Sequence, residues 1–448
     1  MATADIKALR IAIVGSGMGG LAAALALANK GFQDISVYEH ASNLGFVGAG
    51  IQLAPNMARI LDRFGVWDQI AASATICSDT SIRQGSTDEQ LSYVNLDQVE
   101  KLYGYPHMVG HRADLAGGLY AGCKKHTSVK FHFGQTVQEV YSWGPKPSFE
   151  IIERDGGASK RIEADVLLAA DGIKSRVREQ MLKTLKIEAK IIDTRTAAYR
   201  ILLTRDELKH DPELLALLDS DTVTRWIGPR RHIIAYPVAN KTIYNLSTAQ
   251  PDDKFATAPS ATYTTKGDKS LMLSTFADFC PKVQRMLALV PDGEVVEWKL
   301  RVHEPLPVWT CANAALLGDA CHPTLPHLAQ GAAQAIEDGA VLAEVLARLP
   351  SCSAADVHKA LRVYEAVRRD RAYALVDMAA ASGRTLHLSS GEAQKERDER
   401  FRSAKGNPDK WADADVQAQI YGFDCMKVAA EEFEKLFAQM DESVVNGA

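Results

Sequence analysis

No run of the sequence approaches the roughly 20 consecutive apolar residues that a membrane-spanning helix needs; the longest candidate is the alanine-rich stretch from Leu21 to Ala28. A membrane anchor is therefore not expected. The N-terminus, MATADIKALR, lacks the apolar core and small-residue cleavage site of a secretory signal. The C-terminal VVNGA carries neither a prenylation box nor a peroxisomal address, so the expected location is cytoplasmic. Cysteine is sparse: Cys77, Cys123, Cys280, Cys311, Cys321, Cys352 and Cys425 are scattered without a CxxC pair, which excludes a disulfide scaffold and fits a reducing compartment. Charge of one sign is also lacking. The formal net charge is only -5, with no footprint for nucleic acid or an anionic membrane, so the expected partners are small molecules. No internal repeat is present.

What is there begins with length, since 448 residues exceed what one hydrophobic core normally organises. From Arg10 to Glu39 the chain reads as a buried strand (RIAIV), a glycine turn (GSGMGG), an alanine-rich helix and a second strand (ISVYE), one βαβ unit. A helical stripe follows Pro55, a further helix is expected around Asp114 to Lys125, and a strand around Val129 to Phe133. ADVLLAADG is a strand ending at Asp171, followed by the basic helix SRVREQMLK. From about Thr196 to Val302 the chain reads mainly as strands, with VTRWIG and RHIIAYPV forming a hairpin across a Gly-Pro turn. Gln250 to Lys269 has no periodicity and reads as a loop. The first pattern then resumes with AALLGDA and the long helix GAAQAIEDGAVLAEVLARL, closed by Pro350. Charged helical segments complete the chain, ending in an amphipathic helix near Glu431 to Met440.

Gly15, Gly17 and Gly20 form GxGxxG between a buried strand and a helix, where backbone amides approach a pyrophosphate and the helix dipole favours its charge. Glu39 lies at the end of the second strand, where a carboxylate accepts hydrogen bonds from an adenosine ribose. That fingerprint alone does not separate NAD from FAD. Two later turns, Asp171-Gly172 and Gly318-Asp319, each end a strand and lead towards a helix, and together with the fingerprint they are specific.

GSGMGG, HRADL at His111 to Leu115, LLAADGIKSRVR and LLGDACHPTLPHLAQGAAQAIEDG resemble the single-component FAD-dependent aromatic hydroxylases, the family of para-hydroxybenzoate and salicylate hydroxylases, over nearly the whole chain to about residue 375. The resemblance implies an α/β (overall α+β) fold. A Rossmann-like FAD-binding domain would comprise 1–75, 100–182 and 300–375, an inserted substrate-binding sheet domain 76–99 and 183–299, and a C-terminal helical segment 376–448. It implies FAD as cofactor and NADH or NADPH as a transient co-substrate without its own Rossmann domain, in line with the absence of a second GxGxxG on a βαβ unit. Glu39 would bind ribose, Arg112 the adenine side, Asp171 and Asp319 the cofactor, and Gly331 and Ala332 would lie beneath the isoalloxazine. A helix beginning near Gly331 would aim its free amides at a negatively charged reduced ring.

On the strand RRHIIAYPV, His232, Ile234 and Tyr236 project to one face, with the outer two roughly 13 Å apart. By resemblance to aryl-carboxylate hydroxylases, His232, Tyr236 and His327 are the catalytic candidates. Gln52 stands where 6-hydroxynicotinate enzymes carry histidine, which counts against a pyridine substrate. A substrate carboxylate needs an arginine or backbone amides; Arg200, Arg225, Arg230 and Arg231 lie in the right region, and Gln52 and Arg225 are taken as substrate candidates. Cys321 and His322 lack a further metal ligand at suitable spacing, so no metal is expected. The expected reaction is hydroxylation of a hydroxylated aromatic carboxylate with O2, salicylate to catechol plus CO2 leading. Alternatives are 3-hydroxybenzoate 6-hydroxylation, 4-hydroxybenzoate 1-hydroxylation, 6-hydroxynicotinate 3-hydroxylation and a biosynthetic hydroxylation or epoxidation. A halogenase would carry a WxWxIP segment, which is missing, and a non-catalytic flavoprotein would oxidise NADH without response to aromatic ligands. Monomer and homodimer both remain open.

Overall fold

The computed structural model describes residues 5–45, 49–154, 156–253, 255, 264–403 and 408–445. Its first layer is a six-stranded sheet in the order Thr310–Cys311, Ala314–Leu316, Val166–Ala169, Arg10–Val14, Asp34–Glu39, Val129–Phe133. All neighbours run parallel except the first two. The central strands read IAIV and VLLA, apolar without alternation, because both faces are covered. One face packs on the helices Met18–Asn29, Arg112–Lys124 and Gly331–Leu346, while a three-stranded antiparallel sheet sends Phe149 and Ile151 into the same core.

The Met18–Asn29 helix is apolar all round and buried over its length up to Ala28, as a helix enclosed by neighbours must be. It crosses Gly331–Leu346 at close range. A Cβ on Gly339 would lie 2.6 Å from the Ala23 nitrogen, so only glycine permits this approach. The crossing brings the starts of both helices to one cleft.

The second layer is an eight-stranded sheet in the order Thr264–Lys266, Val296–His303, Ile191–Thr204, Ile243–Pro251, Arg231–Val238, Thr222–Gly228, Asp79–Gln84, Gln90–Asn95. The expected hairpin is present with Gly228 opposite Arg231, leaving a two-residue turn in which Arg230 has φ 58°. The region is not purely strands: the short helices Pro212–Asp219, Lys269–Thr275 and Pro281–Ala288 cover the sheet's outer face, where Trp226, Ile233, Ala235 and Leu246 pack. Within the supposed loop Gln250 to Lys269, the described part contains an edge strand, Thr264–Lys266, and residues 254 and 256–263 lie outside the described residues.

Ala354–Leu386 is a continuous helix of 33 residues, and the expected boundary at residue 375 falls inside it, because its buried positions continue from Ala372 through Leu375 and Ala379 to Leu386. Glu392–Arg402 and Cys425–Val445 are also helices. Among the described residues, no helix is long and apolar enough to cross a membrane.

Candidate active site

The glycine turn is shaped by contacts that exclude side chains. Gly15 has φ +97°, and a Cβ there would meet the Ala170 oxygen at 2.4 Å; one on Gly20 would meet the Gly15 oxygen at 2.0 Å. Gly17 differs, with nothing within 4 Å of its would-be Cβ. It caps the Met18–Asn29 helix, so its open side is where a pyrophosphate can approach bare amides. Glu39 Oε2 accepts hydrogen bonds from Ser16 N at 2.8 Å and Ser16 Oγ at 2.7 Å, and Oε1 from Ala41 N at 2.8 Å. These bonds fix the half-buried carboxylate beside the turn with acceptor capacity remaining. Glu39→Ala should raise the Kd for FAD about ten- to a hundredfold, as a charge-assisted hydrogen bond contributes roughly 1.5–3 kcal/mol; an unchanged Kd in a fluorescence titration would remove Glu39 from the cofactor site.

Asp171 is anchored at the start of the helix that follows its turn. Its oxygens accept from Ser175 Oγ at 2.5 Å and Val177 N at 3.3 Å, so it braces Ser175, the N-cap of the Arg176–Leu185 helix, and holds the Asp-Gly turn. Arg178 of that helix bridges the two turns, donating to Ile173 O at 2.7 Å and Ala320 O at 3.2 Å. Asp319 is solvent-accessible but hemmed in by protein, as a group facing a cleft is. This surrounding pushes its carboxyl up, against the pull of His322, Arg112 and Arg178. Arg112 begins its helix with an exposed side chain, and no ion pair engages it among the described residues. Gly331 and Ala332 start the Gly331–Leu346 helix, half-exposed. An open glycine cradle, a cleft-facing aspartate, an unpaired arginine and a free helix start fit an extended anionic dinucleotide such as FAD.

Beneath this cleft lies a network that the sequence reading missed. Asp338 accepts from Gly318 N at 2.8 Å, His322 Nε2 at 2.5 Å and Arg368 Nε at 2.8 Å. Glu337 is held by Arg368, Arg371 and Asn56. Burial alone would raise its carboxyl, yet Arg371 and Arg368 hold it at about 2. The ligand atoms of Cys321, His322 and Asp338 lie within 4.8 Å of one another, a grouping that sequence spacing did not reveal. Arg368 already neutralises Asp338, and burial followed by Asp338 itself drives the Cys321 thiol far up, so the cluster reads as an ion-pair network supporting the Gly318-Asp319 turn.

The inner face of the large sheet carries the substrate candidates in two groups. His232 and Tyr236 share that face but serve opposite ends of it. Tyr236 lies where a Cβ on Gly50 would touch its ring at 2.6 Å, beside Asn245, whose Oδ1 accepts from Gly50 N. The Asn245 Nδ2 is buried without a partner among the described residues. Arg200 stacks on Trp298 at 4.4 Å and lines a cavity of about 190 Å³. Burial, then Arg112, lowers its guanidinium to about 10, with Tyr236 opposing. At the other end, His232 Nδ1 lies 2.7 Å from His387 Nε2, and the His327 ring stands 5.4 Å from both imidazoles. His387 had no sequence signal, being far from either partner in the chain.

Arg225 Nη1 donates to Asp409 Oδ2 at 2.7 Å in a buried ion pair, so its charge is already met. Arg230 and Arg231 are likewise paired, with Asp253 and Asp278. Of the four arginines only Arg200 lacks an acidic partner among the described residues. Gln52 is buried and bonded to His107 Nε2 at 3.2 Å, and burial lowers that imidazole to about 4.

The FAD binding domain family matches residues 8–256. The chain is 32% identical to the FAD-dependent monooxygenase OpS4 of Beauveria bassiana, over 94% of this chain and 96% of that one. It is 32% identical to a 6-hydroxynicotinate 3-monooxygenase of Pseudomonas fluorescens, over 81% and 88%. A solved salicylate hydroxylase substrate complex superposes with TM-score 0.77 at 23% identity, covering 97% of this chain and 98% of that one. Fold and site together define an FAD-dependent monooxygenase. The chain belongs to the single-component FAD-dependent aromatic hydroxylases, with FAD as cofactor and NAD(P)H the family's typical co-substrate.

Proposed function

We propose that this protein hydroxylates a small hydroxylated aromatic carboxylate, with salicylate to catechol plus CO2 as the leading reaction. The observation that carries the reading is Arg200: a guanidinium on the inner face, beside Tyr236, with no acid to neutralise it among the described residues. A half-buried cation without a counter-charge among the described residues favours an anionic ligand. Bound FAD, once reduced, supplies oxygen activation; the chain supplies the rest. Arg200 and Tyr236 hold the carboxylate, the imidazoles of His232 and His327 at the other end of the face contact the ring hydroxyl, and the sheet excludes water from the reacting carbon. Burial keeps the Tyr236 phenol well above its ordinary range, with Arg200 opposing, so it acts as a neutral hydrogen-bond donor.

Arg200→Met should raise KM for aromatic carboxylates by about thirtyfold or more, since losing one partner of a desolvated charge pair costs roughly 2–5 kcal/mol. KM for an uncharged phenol should barely move. Equal losses for both would exclude carboxylate anchoring. A second reading, hydroxylation or epoxidation in a biosynthetic pathway, is supported by the near-complete coverage of the fungal monooxygenase, which exceeds that of the 6-hydroxynicotinate enzyme. Product analysis with salicylate, 3-hydroxybenzoate, 4-hydroxybenzoate and 6-hydroxynicotinate separates the readings: catechol with matching CO2 supports the first, and no product from any of the four overturns it.

A further inference from the structure

The imidazoles of His232, His327 and His387 form a triangle in which exposure rises outwards. His232 and His327 are each 4% exposed, whereas His387, at the C-terminal cap of the Ala354–Leu386 helix, is half-buried. Gly383, one turn earlier, has no side chain because a Cβ there would lie 2.6 Å from the His327 ring. The helix end is thereby seated directly against the loop that leads from Asp319 to Gly331. His327 Nδ1 is buried and without a hydrogen-bond partner among the described residues, so the inner end of the triangle has polar capacity to spare.

We propose that His387 is the outer member of a proton path that connects the substrate hydroxyl, through His232, to solvent. The 2.7 Å contact between His232 Nδ1 and His387 Nε2 makes one nitrogen a donor and the other an acceptor. For outward transfer the substrate O–H bond breaks and leaves its electron pair on oxygen, and the proton passes to His232 Nε2. The proton on His232 Nδ1 moves to His387 Nε2, and that on His387 Nδ1 leaves to water. One proton leaves the substrate and one enters solvent, with both imidazoles neutral before and after; the reverse sequence returns a proton.

The surroundings favour neutral rings. Burial lowers His232 and His327 well below the ordinary histidine range, reinforced by the neighbouring imidazoles and Arg225. Burial, Arg225 and Arg397 lower His387 to about 4. The two arginines are themselves paired, with Asp409 and Asp398. At neutral pH each ring therefore both accepts and donates a proton, as a relay requires.

The inference rests on the aromatic-hydroxyl reading above, and its test separates the two. With FAD-loaded protein, NADH and the four aromatic acids named, His387→Gln should retain FAD and leave KM within about twofold. Its kcat should fall about ten- to a hundredfold, at or below the lower end of the range for a positioned proton-transfer group, because His387 acts through His232. Added imidazole should restore the rate in proportion to its concentration, which loss of a purely structural contact would not allow. A variant that matches wild type in rate and imidazole response overturns the path alone; wild type inert with all four acids overturns the hydroxylase reading and the path with it. Should His387→Gln fail to fold, diethyl pyrocarbonate on the wild-type holoenzyme serves instead. Acylation of His387, followed by peptide mass, should track loss of rate, and full acylation with full activity would overturn the path.

Discussion

His327→Ala is expected to lower aromatic hydroxylation by about a hundredfold, the order expected when a group that positions the substrate is lost, while FAD stays bound. The separation follows from geometry. The His327 side chain points to His232 and His387 on the sheet side, whereas the cofactor cradle is built from the glycine turn, Glu39 and the Gly331–Leu346 helix. Its Nδ1, buried without a hydrogen-bond partner among the described residues, is a free polar atom for a ligand. His327→Asn, which keeps a polar side chain beside Gly383, controls for a packing defect. Wild-type turnover in His327→Ala would remove the residue from the reaction.

Arg368→Met should destabilise the protein by about 3–5 kcal/mol at neutral pH, the cost of leaving a buried carboxylate without its partner. Arg368 is fully buried and contacts both Glu337 and Asp338, so one change takes a cation from two buried acids, leaving Glu337 with Arg371 and Asp338 with His322. The pH dependence has a definite sign. The Glu337 carboxyl lies at about 2, below its ordinary 4.5, so the stability it contributes is present above that ordinary value and is lost as pH falls towards 2. The gap between wild type and variant should therefore be widest near neutrality and narrow in acid. FAD affinity should fall too, because Asp338 also holds Gly318 N next to Asp319. Urea unfolding at neutral and acid pH measures the first effect; a gap that widens in acid would contradict the assignment.

The cofactor half of the molecule was legible because its chemistry is local. The glycine turn, the two strands beside it and the Gly331 helix each place backbone groups within a few residues of a motif, so spacing carries the geometry. The substrate half was legible only in part. Alternation on RHIIAYPV correctly sets His232 and Tyr236 apart from Ile233 and Ala235, since strand faces follow period two. It is silent on what lies across the face: His387 reaches His232 from another helix, and Asp409 reaches Arg225 across 184 positions. Arg225 and Arg200 look alike in sequence and differ only in whether an acid arrives. The Glu337-Asp338 pair inside an apolar helix, with VRRDR on the next, was a readable sign of the buried network, for two carboxylates among apolar residues demand cations.

An FAD-dependent aromatic monooxygenase transfers one oxygen atom from O2 to an aromatic ring. The most direct measurement supplies the FAD-loaded protein with NADH, the four aromatic acids in turn and isotopically labelled dioxygen, and weighs the aromatic product. One labelled oxygen is expected in the product hydroxyl, with NADH consumed in equal amount. NADH oxidation indifferent to every aromatic acid, or a product oxygen drawn from water, would contradict it.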